Sequence, residues 1–510
     1  MDDGSVGASG SWKLAPPHAG QAQGLVVSAF PHLEVGETLL LQLPVGVGGA
    51  WLAALHAAIP ITDATGKATP SAALSLTWTG LEAMGLDAEA LASFATPFIE
   101  GMRQIDRQRR LGEEFTADTQ DETVVAGGPL WCGNAPDPYP RPGRAPAAPT
   151  PLTVHAALML YAVDDVALAA LTAQAEALLQ PFGVAIVRRL AVSLMFDDAG
   201  IAREHFGFAD GVSQPVPHGP AIVLGGQPVP IDPWHGVAAG DVLMGQINAH
   251  GEPAPGPLVR ATLDTGALLP VGGAPTGYRD LGLDGTYMVV RELHQDVKAF
   301  WDSMKAGAAA MNTPGLDADW LAARVIGRTA DGDPLCPLGI LPPDANGPAN
   351  AFGFAATDLE GRGCPMGSHM RRANPRDGLA PTPDQGPDLL QSANNHRILR
   401  RGRKFGVPYP EDPKAERGLL FVALNTDIAR QFEFIQQTWM LNPSFATLFD
   451  ETDPLMGPKG KFTVPSDPVR LRPDVATFVQ LAGGDYFFLP SLPALRYLAA
   501  LAPTQPKVAP

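Results

Sequence analysis

Apolar residues run along this chain in two kinds of pattern, short blocks with the period of a strand and longer stripes with the period of a helix. The two kinds recur in a similar order in each half. In the first half the pattern predicts a strand over 23–30, a helix over 50–59, a strand over 74–79 and an amphipathic helix over 88–102. A loop rich in Gly, Pro and acidic residues covers 112–151. A strand over 154–163, a helix over 166–179 and an extended segment over 184–195 follow. Strand, helix, strand, strand, helix, strand is the order of a ferredoxin-like unit. From about 226 a second cycle predicts strands at 241–247 and 285–291 and helices at 295–304 and 318–326. A long loop over 327–394 leads to strands at 396–405 and 418–426 and a helix over 428–440. A strand at 486–489 and a helix over 492–502 close the chain. The expected architecture is therefore α+β, with two ferredoxin-like domains of duplicated antiparallel sheets and flanking helices. The expected divisions are a loose tail over 1–20, one domain over 21–225 and a second over 226–510.

A chain of 510 residues is long enough for two cores. With 55 Gly and 52 Pro it stays below the level that signals disorder, so long ordered loops are expected. The net charge of −17 argues against nucleic acid and anionic membrane surfaces, which attract basic proteins. One basic cluster, Arg397, Arg400, Arg401, Arg403 and Lys404, is short and mixed with apolar residues. It suits the reception of anionic groups better than a nucleic-acid groove. Cys132, Cys336 and Cys364 lie far apart with no CxxC spacing, which supports neither a disulfide framework nor a thiolate metal cage. The start of the chain has no basic and apolar leader pattern, and no apolar run approaches 18 residues. A soluble, cytoplasmic protein is the expectation.

Four stretches carry chemistry. Gly207-Phe208-Ala209-Asp210-Gly211-Val212-Ser213-Gln214-Pro215 sets a carboxylate between glycines, where backbone can approach another surface closely. Alone it reads as a surface turn with a structural Asp. Cys364-Pro365-Met366-Gly367-Ser368-His369-Met370-Arg371-Arg372-Ala373-Asn374-Pro375-Arg376 places a histidine inside the long loop, with no second ligand at metal spacing. His396-Arg397-Ile398-Leu399-Arg400-Arg401-Gly402-Arg403 is a strand in which Arg400 shares a face with Ile398 and Gly402. For Arg401, Arg403 and Lys404 a solvated strand face is the better reading. The run from Gly418 to Asn425, followed by 430–436 and Trp439, would be plain core in any α+β protein.

Together these stretches resemble the dye-decolorising peroxidases over about residues 200–500; residues 1–200 match only in general pattern. The resemblance implies a heme peroxidase that reduces hydrogen peroxide and oxidises dyes, phenolic or similar donors through a ferryl intermediate. It implies one heme b per chain, His369 as proximal iron ligand, and Asp210 and Arg400 as the catalytic pair beside the iron. Leu419 and Phe421 would form the apolar ceiling, and Asn374 would join the cofactor-binding set. Asp453 is the candidate carboxylate to receive the second N–H of His369. Trp439 is a candidate radical site near the surface for donors too large to enter. Hydrogen peroxide and small reductants are the implied partners, with homo-oligomerisation left open. The competing reading is a heme carrier or a porphyrin-iron-handling protein of the same fold, for which a proximal ligand without the Asp210 and Arg400 pair would suffice.

Overall fold

The computed structural model describes residues 12–66, 68–114, 121–133, 152–194, 196–336, 350–465 and 470–504. Its first half runs β1 (Val35–Gln42), α1 (Ala50–Ala58), β2 (Ser71–Leu76), β3 (Ala156–Ala162), α2 (Asp165–Leu179) and β4 (Ala185–Ser193). The second half runs β5 (Thr286–Gln295), α3 (Val297–Met311), α4 (Ala318–Ile326), β6 (Leu399–Arg400), β7 (Arg403–Phe405), β8 (Gly418–Asn425) and β9 (Val479–Leu489). Strand neighbours follow β4-β1-β3-β2 in the first half and β9-β5-β8-β7 in the second, the same antiparallel order twice. The two sheets then join. Lys404 and Phe405 of β7 pair with Ser193 and Val192 of β4, and Phe488 of β9 pairs with Leu76 of β2, so the path of neighbours closes on itself.

Period-two alternation gives this closed sheet two buried faces. Leu39, Leu41, Leu74, Leu158, Tyr287, Val289 and Phe488 lie in one cluster with Trp51, Leu55, Leu171 and Leu495 of the covering helices. Leu40, Ala73, Met159, Met288, Val290, Val422 and Phe487 belong to a second cluster. On β5 the count that packs Tyr287 and Val289 under helices carries Arg291, Leu293 and Gln295 onward along the same side. Those three line the main cavity.

Several expected elements change. The strand expected over 23–30 is a turn, Gly24–Val26, because its polar groups are claimed by side chains. The Gln23 amide bonds both backbone groups of Leu74. Arg401 donates to the carbonyls of Leu25 and Val26, and Arg403 to those of Ala29, Phe30 and Leu33. Arg401 and Arg403 are therefore buried rather than solvated, and Lys404 is half-buried with its Nζ on the Arg203 carbonyl. The first strand is 35–42, a run buried through Leu39, Leu40 and Leu41. Segment 241–247 forms turns closed by its own backbone, Val242 N and Leu243 N both donating to the Ala239 carbonyl at 3.1 and 2.9 Å, and the buried Asp241 carboxylate accepts from Arg430 Nη2 at 2.8 Å. The strand over 74–79 stops at Leu76, where Thr77 caps a helix over Trp78–Ala83. The helix over 88–102 splits into Ala88–Ala92 and Thr96–Glu100, with Pro97 opening the second.

The long loop contains helices His369–Ala373 and Gly386–Asn394, and its part at 337–349 lies outside the described residues. Strand 396–405 is interrupted at Arg401 and Gly402, and the last strand extends back to Val479. In the expected tail, residues 1–11 lie outside the described set. Lys13–Leu14 pairs with Val223 and Ile222, and Trp12 and Leu14 are buried, so 12–20 is not loose.

Gly402 sits at the interruption that turns Arg400 toward the cavity and Arg401 away from it. A Cβ there would come within 2.6 Å of the Leu420 carbonyl oxygen and 3.1 Å of the Val422 nitrogen. Gly402→Ala is expected to destabilise the fold by about 1–3 kcal/mol, the range for forced overpacking, read as a lower urea midpoint with unchanged slope. An unchanged midpoint would show that β6 and β7 tolerate the wider approach.

Candidate functional site

One chamber of about 290 Å³ opens on the β5 and β8 face of the second half. Leu293, Leu419, Phe421, Phe432, Ile435, Met440 and Val479 make most of it apolar, and polar groups gather at a few places on its wall. The helix after β8 is wound with i→i+5 hydrogen bonds, Glu433 N to the Ile428 carbonyl at 2.9 Å and Leu441 N to that of Gln436 at 3.0 Å. Such π winding recurs at functional sites because it shifts which residues face one way. Here Phe432, Ile435, Gln436 and Met440 all reach the chamber.

His369 opens the short helix His369–Ala373, capped by buried Ser368. Its Nδ1 lies 3.1 and 3.2 Å from the two oxygens of Asp453, whose side chain has no exposed surface. An ionised carboxylate only accepts, so Nδ1 carries the proton and Nε2 is left as the free nitrogen of a ring that lines the chamber. Burial pushes the Asp453 carboxyl up, but the charge and hydrogen bond of His369 with the N–H of Met456 outweigh it, holding it below the usual range. Asp453 also accepts from Leu455 N at 2.9 Å and Met456 N at 2.8 Å, so the carboxylate is fixed by its own turn.

Asp210 and Arg400 meet at 3.7 Å, Oδ1 to Nη1, each about a third exposed, and both line the chamber. Side chains tie the segment after Asp210 to Arg400. The Gln214 amide accepts from Arg400 N at 3.1 Å, and Arg400 Nη2 donates to the Ser213 carbonyl at 3.1 Å. The motif loop and β6 are thereby held as neighbours although 186 residues separate Gln214 from Arg400.

Four further arginines line the chamber: Arg291, Arg328, Arg376 and Arg397. Arg291 pairs with Glu113. Arg328 donates to the Gly332 carbonyl and Asn350 Oδ1, and Arg376 to the carbonyls of Asn350 and Phe352. Among the described residues no carboxylate pairs with Arg328, Arg376 or Arg397, and Arg397 Nη1 and Asn374 Oδ1 have no hydrogen-bond partner. Burial, then like charge from neighbouring arginines, pushes Arg376 down to about 9; burial and the Arg400 charge push Arg397 down to about 10. Buried charge without a counter-ion is unfavourable by several kcal/mol per ion, so this wall is built for an anionic group of a ligand. Among the described residues no three His, Cys, Asp or Glu could hold a bare metal ion. One imidazole suffices for iron that arrives in a macrocycle with its own four donors.

The structure brings His369, Asn374, Asp210, Arg400, Leu419 and Phe421 to one chamber and sets Asp453 behind His369. Trp439 does not stand near the surface. It is buried at 5% exposure against Phe434 and His396, because the π-wound helix turns it inward. Sequence reasoning missed Glu204, Arg291, Gln295 and Arg328. The β5 residues could have been found by counting in twos from buried Val289, whereas nothing local marks Arg328.

The fold defines the class, an α+β protein of two ferredoxin-like units closed into one sheet, with a chamber lined by a single histidine on the helix-covered face of the second half. A solved DyP-type peroxidase from Anabaena superposes with a TM-score of 0.69 at 23% identity, covering 94% of each chain. A dye-decolorizing peroxidase in complex with 2,6-dimethoxyphenol gives 0.67 at 24%, covering 96% of this chain and 99% of that one. By sequence, the multifunctional dye peroxidase DyP2 of Amycolatopsis is 29% identical over 370 residues, 68% of this chain and 71% of its own length. Dye-decolorizing peroxidase msp1 of Mycetinis scorodonius is 30% identical over 329 residues, 58% of this chain and 56% of its own. No family model matches. In sequence and in fold the chain is similar to the dye-decolorising peroxidases, and that similarity supports heme as the cofactor.

His369→Ala should therefore purify with little heme and bind added heme weakly, measured by Soret titration. Asp453→Asn should keep the fold and lose about 10–100-fold in heme affinity or activity, the usual weight of a group that orients a metal-bound histidine. A normal five-coordinate histidine spectrum in His369→Ala would assign the ligand elsewhere.

Proposed function

We propose that this protein reduces hydrogen peroxide with heme b, one per chain, held through His369, and oxidises dyes and phenolic donors. The observation that carries this reading is the Asp210 and Arg400 pair at 3.7 Å on the chamber that also receives the free nitrogen of His369. A carrier needs the tether alone. A base beside a guanidinium, both reachable from the chamber, is the equipment for breaking an O–O bond heterolytically.

The residues fit the group. His369 would hold the iron, Arg397, Arg376 and Arg328 would face the carboxylates of the macrocycle, and Leu419, Phe421 and Ile435 would pack its apolar body. When bound, heme would supply the iron that binds peroxide and takes up its two oxidising equivalents, which then pass to donors. Asp210 takes the proton from one peroxide oxygen and returns it to the other. Arg400 keeps Asp210 in place and stabilises negative charge as it develops on the departing oxygen. Asp453 holds Nδ1–H of His369, which fixes the ring and raises the basicity of Nε2. A filled chamber leaves space for peroxide and little for a dye, so bulky donors would react at the protein surface.

Two relatives are named as dye-decolorizing peroxidases and a third neighbour was solved with a phenol, which supports the donor class. No helix among the described residues is long and apolar enough to cross a membrane. Cys336 and Cys364 are buried thiols, which supports a reducing compartment, the cytoplasm.

Arg400→Leu is expected to slow the reaction with peroxide by about 10²–10³-fold, the weight of one preorganised charge-stabilising donor. Asp210→Asn should slow it by up to about 10²–10⁴-fold. Both should keep the heme spectrum of the parent. Stopped-flow absorbance with excess peroxide makes the measurement, and parental rates in both variants would remove the pair from the reaction.

A further inference from the structure

The segment that presents Asp210 is closed by a second carboxylate. Glu204 Oε2 accepts from Phe206 N at 2.8 Å and from Gln295 Nε2 at 2.7 Å, and Oε1 accepts from Phe208 N at 2.9 Å. Its own N–H donates to the Phe208 carbonyl at 3.0 Å, and its carbonyl accepts from Gly207 N at 3.0 Å. Gly207, at φ 101°, provides the left-handed step this tight turn needs. Phe206 is stacked on Phe300 at 4.4 Å, so the turn rests on the core. Two residues on, Asp210 N donates to the Ala202 carbonyl at 2.9 Å. The position of Asp210 thus follows from the turn, and the turn from Glu204.

We propose that Glu204 is a positioning residue for the distal acid, its carboxylate clasping the turn of residues 206–208 to the end of β5 and so setting where Asp210 stands. This rests on the peroxidase reading above. Glu204 lines the chamber, and among the described residues its carboxylate is hydrogen-bonded by three donors, the arrangement an ionised group requires. Burial, with a smaller push from Asp210, works against that charge and the hydrogen bonds favour it, leaving Glu204 raised to about 7. The charged groups around it are Asp210 and its partner Arg400, and Lys404, whose Nζ is on the Arg203 carbonyl. Arg203 itself is bonded to the Gly207 carbonyl, Asp197 and Asp331, and His205 Nε2 donates to the Phe405 carbonyl.

Because hydrogen bonds to a charged acceptor are stronger than to a neutral one, the clasp is tight above neutrality and loosens as pH falls through about 7. The linkage has the opposite sign for the fold. A carboxyl raised above its unfolded value binds an extra proton in the native state, so its ionisation lowers global stability as pH rises from about 4.5 toward 7. The clasp thus keeps the turn in place at some expense to global stability.

The test is the bimolecular rate constant of the heme-loaded protein with hydrogen peroxide, for the parent and Glu204→Gln, from about pH 5.5 to about pH 8.5. Gln offers one acceptor oxygen and turns an amide N–H₂ toward a donor, so it cannot close the turn. The variant is expected about tenfold slower than the parent at the upper end, the scale of a small displacement of a reacting group, and near parity at the lower end. The parent should inflect near neutrality, and the variant should not, with an unchanged Soret band in both. A constant ratio across the range, or equal rates throughout, overturns the proposal. Should the variant not fold, the parent profile decides, and its lack of an inflection near neutrality is equally adverse. Asp210→Asn run beside it separates the two readings: a fast Asp210→Asn removes the distal acid itself, whereas a slow Asp210→Asn with a parental Glu204→Gln removes only the role of Glu204.

Discussion

Strand β5 is hydrogen-bonded on both sides, to β8 from Tyr287 to His294 and to β9 from Thr286 to Gln295, and the chamber depends on that double pairing. A strand held on both edges cannot slip by a residue without reversing every side chain. Arg291, Leu293 and Gln295 are thereby committed to the chamber, and Glu292 to the other face of the sheet. There Glu292 has no exposed surface and receives Trp131 Nε1 at 2.8 Å and Arg188 Nε at 2.7 Å. Burial pushes its carboxyl up, and His294, Arg188 and Trp131 together pull it down to about 2. One ionised side chain of the second half is thus bound to Arg188 of β4 and to Trp131 of the first. The sheet runs unbroken past residue 225, and the two ferredoxin-like units share it.

Charge is distributed by function around this frame. The Asp210 and Arg400 pair is about a third exposed on both sides, so its contribution to stability is small, of the order of that of a surface ion pair. Its value lies in standing open to the chamber. Arg328, Arg376 and Arg397 are the reverse case, buried groups on the chamber wall whose hydrogen bonds among the described residues go to carbonyls, an amide or nothing. Arg401 and Arg403 show what arginine does when no ligand is involved, since each spends its guanidinium on the backbone carbonyls of 25–33. Within one short stretch Arg397 and Arg400 thus line the chamber while Arg401 and Arg403 hold the backbone of the first half.

The motif loop is determined as tightly as the sheet. Gln214 holds it to β6, Glu204 closes the turn before it, and Ala209 N donates to the Ala330 carbonyl at 2.9 Å. Few of these contacts are charge pairs that salt would screen, which suits a loop that must hold one acid in place while peroxide comes and goes.

Local pattern determined much of this protein. The helical periods at 50–59, 166–179 and 318–326, the strand blocks at 154–163 and 418–426, and the repeated ferredoxin-like order were all readable, because period and capping act between residues close in sequence. The motifs around Asp210, His369 and Arg400 carried the resemblance to dye-decolorising peroxidases for the same reason, and Asp453 was a candidate partner of His369 that the resemblance suggested. Only the tertiary structure decided that 23–30 is no strand, since the groups that claim its carbonyls lie more than 370 residues away. It also decided that Trp439 faces inward, that Arg291 and Arg328 reach the chamber, and that Glu204 stands under the turn before Asp210. Those outcomes depend on which distant strands and side chains meet when the sheet closes, and a free energy of closure summed over the whole ring leaves no mark on any one stretch of sequence.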